Sequence, residues 1–436
     1  MGRLLVTQNN LINLSEEQLS IVTSTANNII VNAGAGAGKT RVLVERVKHL
    51  LNQGVNPTSI VIITFTNMAA DELKERLAHI KGSSNCFVGT IHSYANMLLK
   101  RSGYQFEIFS EQHQDQFMKN LIADYAYYIN YDYYLVYKEF IHNCVLGKED
   151  KSNLYNALNC NYVNEIEILL GKTQPISTQK YPHNVKTVCK LNSIITFTEL
   201  ISITTKFFEE LNCSLEYLFV DEFQDVGYLE YDFLKSLNAN NNFFIGDDYQ
   251  AIYSFKGGDV NIFLHLINSD DWTTYYLKDN YRNSKLILDM ANQVIQRADD
   301  IIKKDSCCKN SDLGVVEFKD KSDIVNYLKK CENLKDWFVL VRLNKEIELL
   351  SNLFKKFNIP FICFKQSQLT PEELRKATDF RGVKLLTIHS SKGLESKNVC
   401  LYGDLPINPK KKTSSDNIKL LYVGMTRAQE KLIIFN

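Results

Sequence analysis

Residues 28 to 50 read NIIVNAGAGAGKTRVLVERVKHL, an apolar run, a chain of alternating glycine and alanine, and a stretch in which Val42, Val47 and Leu50 fit one helical face. A strand has to pass into a helix here through a turn with almost no side chains. The N–H groups of such a turn and the dipole of the helix converge on one point, which suits anionic oxygens. This is the layout of a phosphate-binding loop over Ala33, Gly34, Ala35, Gly36, Ala37 and Gly38, with Lys39 reaching the outer phosphates and the Thr40 hydroxyl completing a magnesium shell. The strict pattern G-x-x-x-x-G-K-[ST] asks for glycine where Ala33 stands. A glycine-rich helix cap is the alternative, and Lys39-Thr40 in its proper place makes it the poorer one.

Further apolar runs follow, among them SIVIITFT, LEYLFVDE and NNFFIGDD, then WTTYYL, GVVEF, WFVLVR, IPFICF, VKLLTIH, NVCLYG and KLIIF. Strands of this kind, buried on both faces and separated by helix-like segments, predict an α/β fold with parallel sheets. They are too many for one sheet, so two such domains are expected in the 436 residues. A polar, tyrosine-dense stretch, DYAYYINYDYYLVYKEF, interrupts the rhythm and reads as a helical insertion. The expected division is a first domain of 1–100 and 191–270, an insertion at 101–190 and a second domain at 271–436. The tyrosines pack a small core more readily than they stack on bases. The lysines of INPKKKTSSD read as a solvated loop.

Charge excludes little, because 50 basic residues balance 50 acidic ones. Any nucleic acid must be held by a local groove. The ten cysteines contain no C-x-x-C pair and read as reduced thiols. No apolar run approaches the roughly 18 residues of a membrane helix, and MGRLLVTQNN resembles neither a signal peptide nor a myristoylation site. A soluble, intracellular protein is expected, in the cytoplasm or nucleoid, or in a host cell if viral.

A phosphate loop needs a partner carboxylate at the end of another strand. LEYLFVDEFQD supplies Asp221 to orient magnesium and Glu222 to polarise the attacking water. Alone, an Asp-Glu pair is a common strand ending. NNFFIGDDYQ ends in Asp247, Asp248 and Gln250, and Gln250 suits a γ-phosphate or its water. Tyr253, Phe255 and Lys256 then place aromatic faces beside a cation, which fits single-stranded nucleic acid and fits core packing equally well.

The order of these motifs resembles the UvrD/Rep-type superfamily 1 DNA helicases, from LSEEQLSIV to LLYVGMTRAQEKLIIF. In that family the loop commonly opens with alanine. The resemblance implies two RecA-like P-loop NTPase domains, with ATP and Mg²⁺ as cofactors and ATP hydrolysis as the activity. It implies that Gln18 reads the adenine edge, although Ser15-x-x-Gln18 is also a capping box. Arg41 and Tyr281 would flank the base and Glu395 would hold the ribose. Arg282 in KDNYRNS and Arg427 in YVGMTRA would be a pair of γ-phosphate cations that also register closure of the cleft. Phe65, His92, His389 and Arg342 would join Tyr253, Phe255 and Lys256 on DNA.

Some positions depart from the family's pattern. Lys256 and Phe255 stand where Arg and Trp are usual, Ser396 follows KGLE where an aromatic is common, and the acidic residues that often precede the sixth motif are missing from DNIKLL. Only KQSQLTPEELRKATDFRG separates IPFICF from VKLLTIH, where the family carries a large helical insertion. What the resemblance implies is a trimmed ATP-dependent motor on single-stranded DNA or overhangs, moving 3′ to 5′, in repair, replication or recombination alongside proteins of those processes. Two alternatives stay open. One is an ATPase switch acting on a protein partner with Tyr253 and Phe255 buried, and the other is an RNA motor, separated only by 2′-hydroxyl contacts.

Overall fold

The structure, a computed structural model, describes residues 14–104, 106–108, 194–195, 197–211, 214–304, 306–364, 379–407 and 413–436. The tyrosine-dense stretch, most of the expected insertion, the start MGRLLVTQNN, the lysines of INPKKKTSSD and most of the linker before VKLLTIH lie outside the described residues. The chain forms two compact units, one of residues 1–90, 214–228 and 239–436, the other of 91–213 and 229–238.

Strand β1 (Asn28–Ala33) is buried at every position after Asn28, so its run is continuously apolar rather than alternating. It belongs to a parallel sheet with β2 (Ile60–Thr64) and β3 (Phe87–Thr90). The short strands β4 (Glu107–Ile108) and β5 (Ile194–Ile195) pair with each other in the second unit. The first sheet continues with β6 (Tyr217–Val220), β7 (Asn241–Gly246) and β8 (Thr273–Leu277) in the order β3-β2-β6-β7-β1-β8. Val31 sits opposite Ile245 on one side and Tyr275 on the other. Helix Lys39–Asn52 lays Val42, Val47 and Leu50 on this sheet, in one core with Ile29, Ile62 and Phe243.

The first sheet extends past residue 270, the expected end of the first domain. WTTYYL forms β8, which satisfies the peptide groups that β1 would otherwise leave open on that edge. The second unit likewise begins at Ile91 and includes helix Phe197–Leu211. Helix Ile91–Arg101 finds its packing partner in that helix, and the ring of His92 stands edge-on to Phe197 at 5.0 Å.

Beyond β8 come the paired strands β9 (Asp279–Asn280) and β10 (Cys307–Cys308), then a second parallel sheet. Its strands are β11 (Val315–Lys319), β12 (Trp337–Val341), β13 (Phe361–Cys363), β14 (Val383–Thr387), β15 (Ser396–Tyr402) and β16 (Ala428–Phe435). The order is β11-β16-β15-β12-β14-β13. Helix Asn344–Lys356 buries Ile347, Leu350 and Phe354 against Val339, Val383 and Leu385. Helices Lys285–Ile295 and Ser415–Met425 pack with Leu386, Leu401 and Leu432 in another core. The architecture is thus two six-stranded α/β layers of the RecA-like kind. Among the described residues no helix is long and apolar enough to cross a membrane, and Cys86, Cys307, Cys308, Cys331, Cys363 and Cys400 are free thiols.

Candidate active site

The small-residue turn divides its labour. Ala33 is still the last residue of β1 and fully buried, so this position needs no special backbone angle and alanine serves. Ala35 and Ala37 also point into cores. The left-handed positions are Gly36 (φ 65°) and Gly38 (φ 84°). A Cβ on Gly36 would stand 2.7 Å from Cβ of Arg282, so glycine is also what lets that arginine approach. Gly38 heads helix Lys39–Asn52 without a side-chain cap, and the first-turn N–H groups thus lack a side-chain acceptor.

Residues Gly36 to Arg41 line a cleft of about 1050 Å³ together with Asp221, Glu222, Gln250, Tyr281, Arg282, Glu395 and Arg427. Ala33, Gly34 and Ala35 lie behind this lining, and the Gly34 N–H donates to Leu277 O at 3.1 Å. Gln18 is buried and forms the capping box with Ser15. Its Nε2 also donates to Ala37 O at 3.2 Å, so the cap and a hold on the loop coexist in one side chain.

Asp221 and Glu222 follow β6 directly, and Glu222 adopts a left-handed backbone (φ 53°) that turns the chain at the strand end. Their carboxyls are driven apart in acidity. Burial, then the neighbouring Glu222, pushes Asp221 up to about 7. Burial opposes ionisation of Glu222 too, but Lys392 and Lys39 outweigh it and hold that carboxyl below its usual range. Gln224 steadies the pair's surroundings, donating to Glu222 Oε2 at 2.5 Å and accepting from the Asp247 N–H at 2.8 Å. Lys39 Nζ stands 3.8 Å from Asp247 Oδ2.

The arginines come from beyond the first sheet, Arg282 just after β9 and Arg427 just before β16. Arg427, between helix Ser415–Met425 and β16, is almost fully buried and donates to Gln250 Oε1 at 2.9 Å, Val423 O at 3.0 Å and Leu394 O at 3.1 Å. Gln250 in turn donates to Asp247 Oδ2 at 2.6 Å. Arg282 pairs with Glu395 at 2.5 Å, so two residues expected to touch different parts of a nucleotide hold each other. Behind them Asn280 donates to Ala35 O and Asn283 Oδ1, and Asn283 donates to Thr426 O and Ala428 O. A chain of amides thus ties the loop to the strand that follows Arg427.

The expected DNA-facing residues fall into three groups. Tyr253 is only 3% exposed and stacks on Phe65 at 5.2 Å, with Lys392 over its ring at 4.9 Å. Its faces are occupied, so the packing alternative describes Tyr253, whereas Phe255 is 50% exposed with Lys256 6.0 Å from its ring centre. His389 lies edge-on to Phe255 at 5.3 Å. Arg342 is exposed on the second sheet's side, and His92 belongs to the other unit.

His389 supplies a pH test. Burial first, then Lys256, lowers its imidazole from 6.5 to about 4. The unfolded chain therefore takes up a proton near pH 6.5 that the folded chain refuses until about pH 4. Stability is intact above pH 6.5 and falls between 6.5 and 4, by at most about 3 kcal/mol. Urea unfolding across this window is expected to show a shallower pH slope in His389→Gln than in the parent. Equal slopes would assign the acid sensitivity to other groups.

Several residues of the site escaped sequence reasoning. Lys392 lies inside the quoted LLTIHSSKGLES yet drew no role, although it pairs with Asp225, stands 3.8 Å from Glu222 and donates to Gln250 O at 2.9 Å. Gln224 and Asp225 lie inside DEFQD, and Asn280 inside KDNYRNS, so their motifs were the available signal.

Comparison with known proteins gives the same order. A model of the UvrD/REP helicase N-terminal domain matches residues 14–270, and one of the UvrD-like helicase C-terminal domain matches 275–369 and 363–436. A probable DNA helicase of Mycoplasma pneumoniae is 28% identical over 97% of this chain and 83% of its own length. The ATP-dependent DNA helicases PcrA of Staphylococcus epidermidis and Staphylococcus aureus are 30% and 29% identical over 80% of this chain, which spans half their length.

Proposed function

The chain belongs to the UvrD/REP helicase family, and on that premise we propose that it is an ATP-driven motor that moves 3′ to 5′ along single-stranded DNA. The observation that supports this most is one cleft lined by the phosphate loop, an acidic pair and two arginines, Arg282 and Arg427. In this reading the loop N–H groups and Lys39 hold the phosphates, and Arg41 and Tyr281 flank the base. Gln18 acts on the loop through Ala37. Glu222, ionised beside Lys39 and Lys392, takes the proton of the attacking water. Arg282 and Arg427 meet charge as it develops, and Gln250 orients the water while bonded to Arg427.

A magnesium ion fits the donor set, since the Thr40 hydroxyl and the buried Asp221 carboxyl line the same cleft. Among the described residues no cluster of three or more acidic, His or Cys side chains could cage a metal alone. Thr40 and Asp221 would hold the ion, which would supply positive charge to offset that of the phosphates.

Residues 1–90, 214–228 and 239–277 then serve as the first motor domain, the unit from Ile91 as its insertion, and the rest as the second motor domain. Phe255 offers the open stacking face for DNA, with Phe65, Tyr253, His389, Lys256 and Arg342 behind or beside it and His92 on the insertion. Repair, replication or recombination is the setting this activity suits. The switch reading takes support from the burial of Tyr253, but it requires Phe255 to be buried as well.

Streptavidin displacement from end-biotinylated single strands tests the motor. ATP-dependent release from the 5′ end supports the proposal. Release from the 3′ end alone would reverse the polarity, and no release from either end, with ATP turning over, would leave the switch.

A further inference from the structure

Lys304 lies in IIKKDS, between helix Lys285–Ile295 and β10, in a stretch without a motif or an apolar pattern. Its side chain is nonetheless 1% exposed. The ammonium group donates to Asp247 Oδ1 at 2.7 Å and Asn32 Oδ1 at 2.6 Å, stands 2.6 Å from Asp248 Oδ1, and lies 4.2 Å from the centre of the Tyr249 ring. The backbone fixes it there. Its own N–H donates to the Tyr249 hydroxyl at 2.7 Å, and the Ile302 N–H donates to Asp248 Oδ2 at 2.5 Å.

Asn32 is the penultimate residue of β1, one step from the phosphate loop, while Asp247 and Asp248 follow β7, the neighbour of β1. One cation therefore gathers the ends of two adjacent strands beneath the loop. Both carboxylates are fully buried, where an uncompensated negative charge is strongly unfavourable. Among the described residues two lysines face Asp247. Lys304 is on Oδ1, and Lys39 is 3.8 Å from Oδ2. Burial opposes the charge on Lys304, but Asp247 and Asp248 outweigh it and raise its affinity for the proton.

We propose that Lys304 is a positioning residue that satisfies Asp247 and Asp248 from beneath the phosphate loop and so leaves Lys39 available to nucleotide phosphates. This rests on reading the cleft as an ATP site. Without Lys304, Lys39 is the remaining cation facing Asp247. It closes the 3.8 Å gap, and a phosphate then has to compete with a buried carboxylate for the same ammonium group. The electrostatic trap, more than lost packing, is what weakens binding.

The test is equilibrium binding of a fluorescent non-hydrolysable ATP analogue to the full chain and four variants. Lys39→Ala tests the ATP site itself, because tight binding by the parent that is lost in this variant upholds that reading independently of Lys304. Lys304→Met is expected to raise Kd roughly tenfold or more. Lys304→Met/Asp247→Asn removes the carboxylate that captures Lys39 and is expected to recover most of that loss, whereas a purely structural role predicts that the second substitution adds damage. Parent-like binding by Lys304→Met, or a double variant no better than the single one, overturns the proposal. If Lys304→Met does not fold, Asp247→Asn alone decides. Affinity equal to or tighter than the parent's supports the trap, and a loss beyond tenfold overturns it.

Discussion

Glu222→Gln is expected to slow ATP turnover by roughly 10²- to 10⁴-fold while nucleotide binding stays near the parent level. Glutamine keeps the size of the side chain and can still meet the Gln224 amide, but it cannot accept the water's proton. In the proposed role, Lys392, 3.8 Å from Glu222, favours the charged carboxylate that would accept it, and a left-handed turn sets that residue beyond the strand end. Single-turnover hydrolysis measured beside analogue binding separates the two effects. A variant that turns over at the parental rate would mean that another group takes the water's proton, with Asp225, which shares the Gln224 amide with Glu222, a candidate in the network.

The other large effect belongs to Arg427. Arg427→Ala is expected to lower turnover by about 10³- to 10⁵-fold, the range associated with a cation supplied to phosphoryl transfer. Its Nε and both terminal nitrogens donate, to Val423 O, Leu394 O and Gln250 Oε1, so the guanidinium is held in place with N–H capacity to spare. Arg427→Lys keeps the charge but cannot reproduce three directed bonds, and it is expected to restore less than a tenth of the lost rate. Because the residue is buried, thermal unfolding should be followed in parallel. A folded Arg427→Lys with near-parental turnover would show that charge alone suffices. A folded Arg427→Ala with near-parental turnover would remove the arginine from the chemistry.

Both residues stand in short motifs, and this is why much of the cleft was legible before any coordinates. The strand, turn and helix around Gly36 to Thr40 are dictated by neighbours in sequence, as are the carboxylates that end β6. Ala33 looked anomalous only because the pattern ignores where β1 stops. Tertiary pairing hid the rest. WTTYYL carries no mark that it pairs with β1 across more than two hundred residues. Tyr253 and Phe255 look alike in sequence, yet one is sealed by Phe65 and Lys392 while the other keeps half its surface open. Lys304 sits in a polar stretch indistinguishable from a solvated loop until β1 and β7 bring Asn32, Asp247 and Asp248 around it.

In the proposed motor, one cleft hydrolyses ATP in response to a strand of DNA held at the Phe255 surface. Steady-state ATP hydrolysis with and without a single-stranded oligonucleotide tests it most directly, with Lys39→Ala and Phe255→Ala alongside. The expected result is strong stimulation by DNA, no activity in Lys39→Ala, and a Phe255→Ala variant that keeps its basal rate but needs far more DNA for stimulation. A rate that requires Lys39 and ignores DNA would rule out a DNA motor and leave an ATP-driven switch.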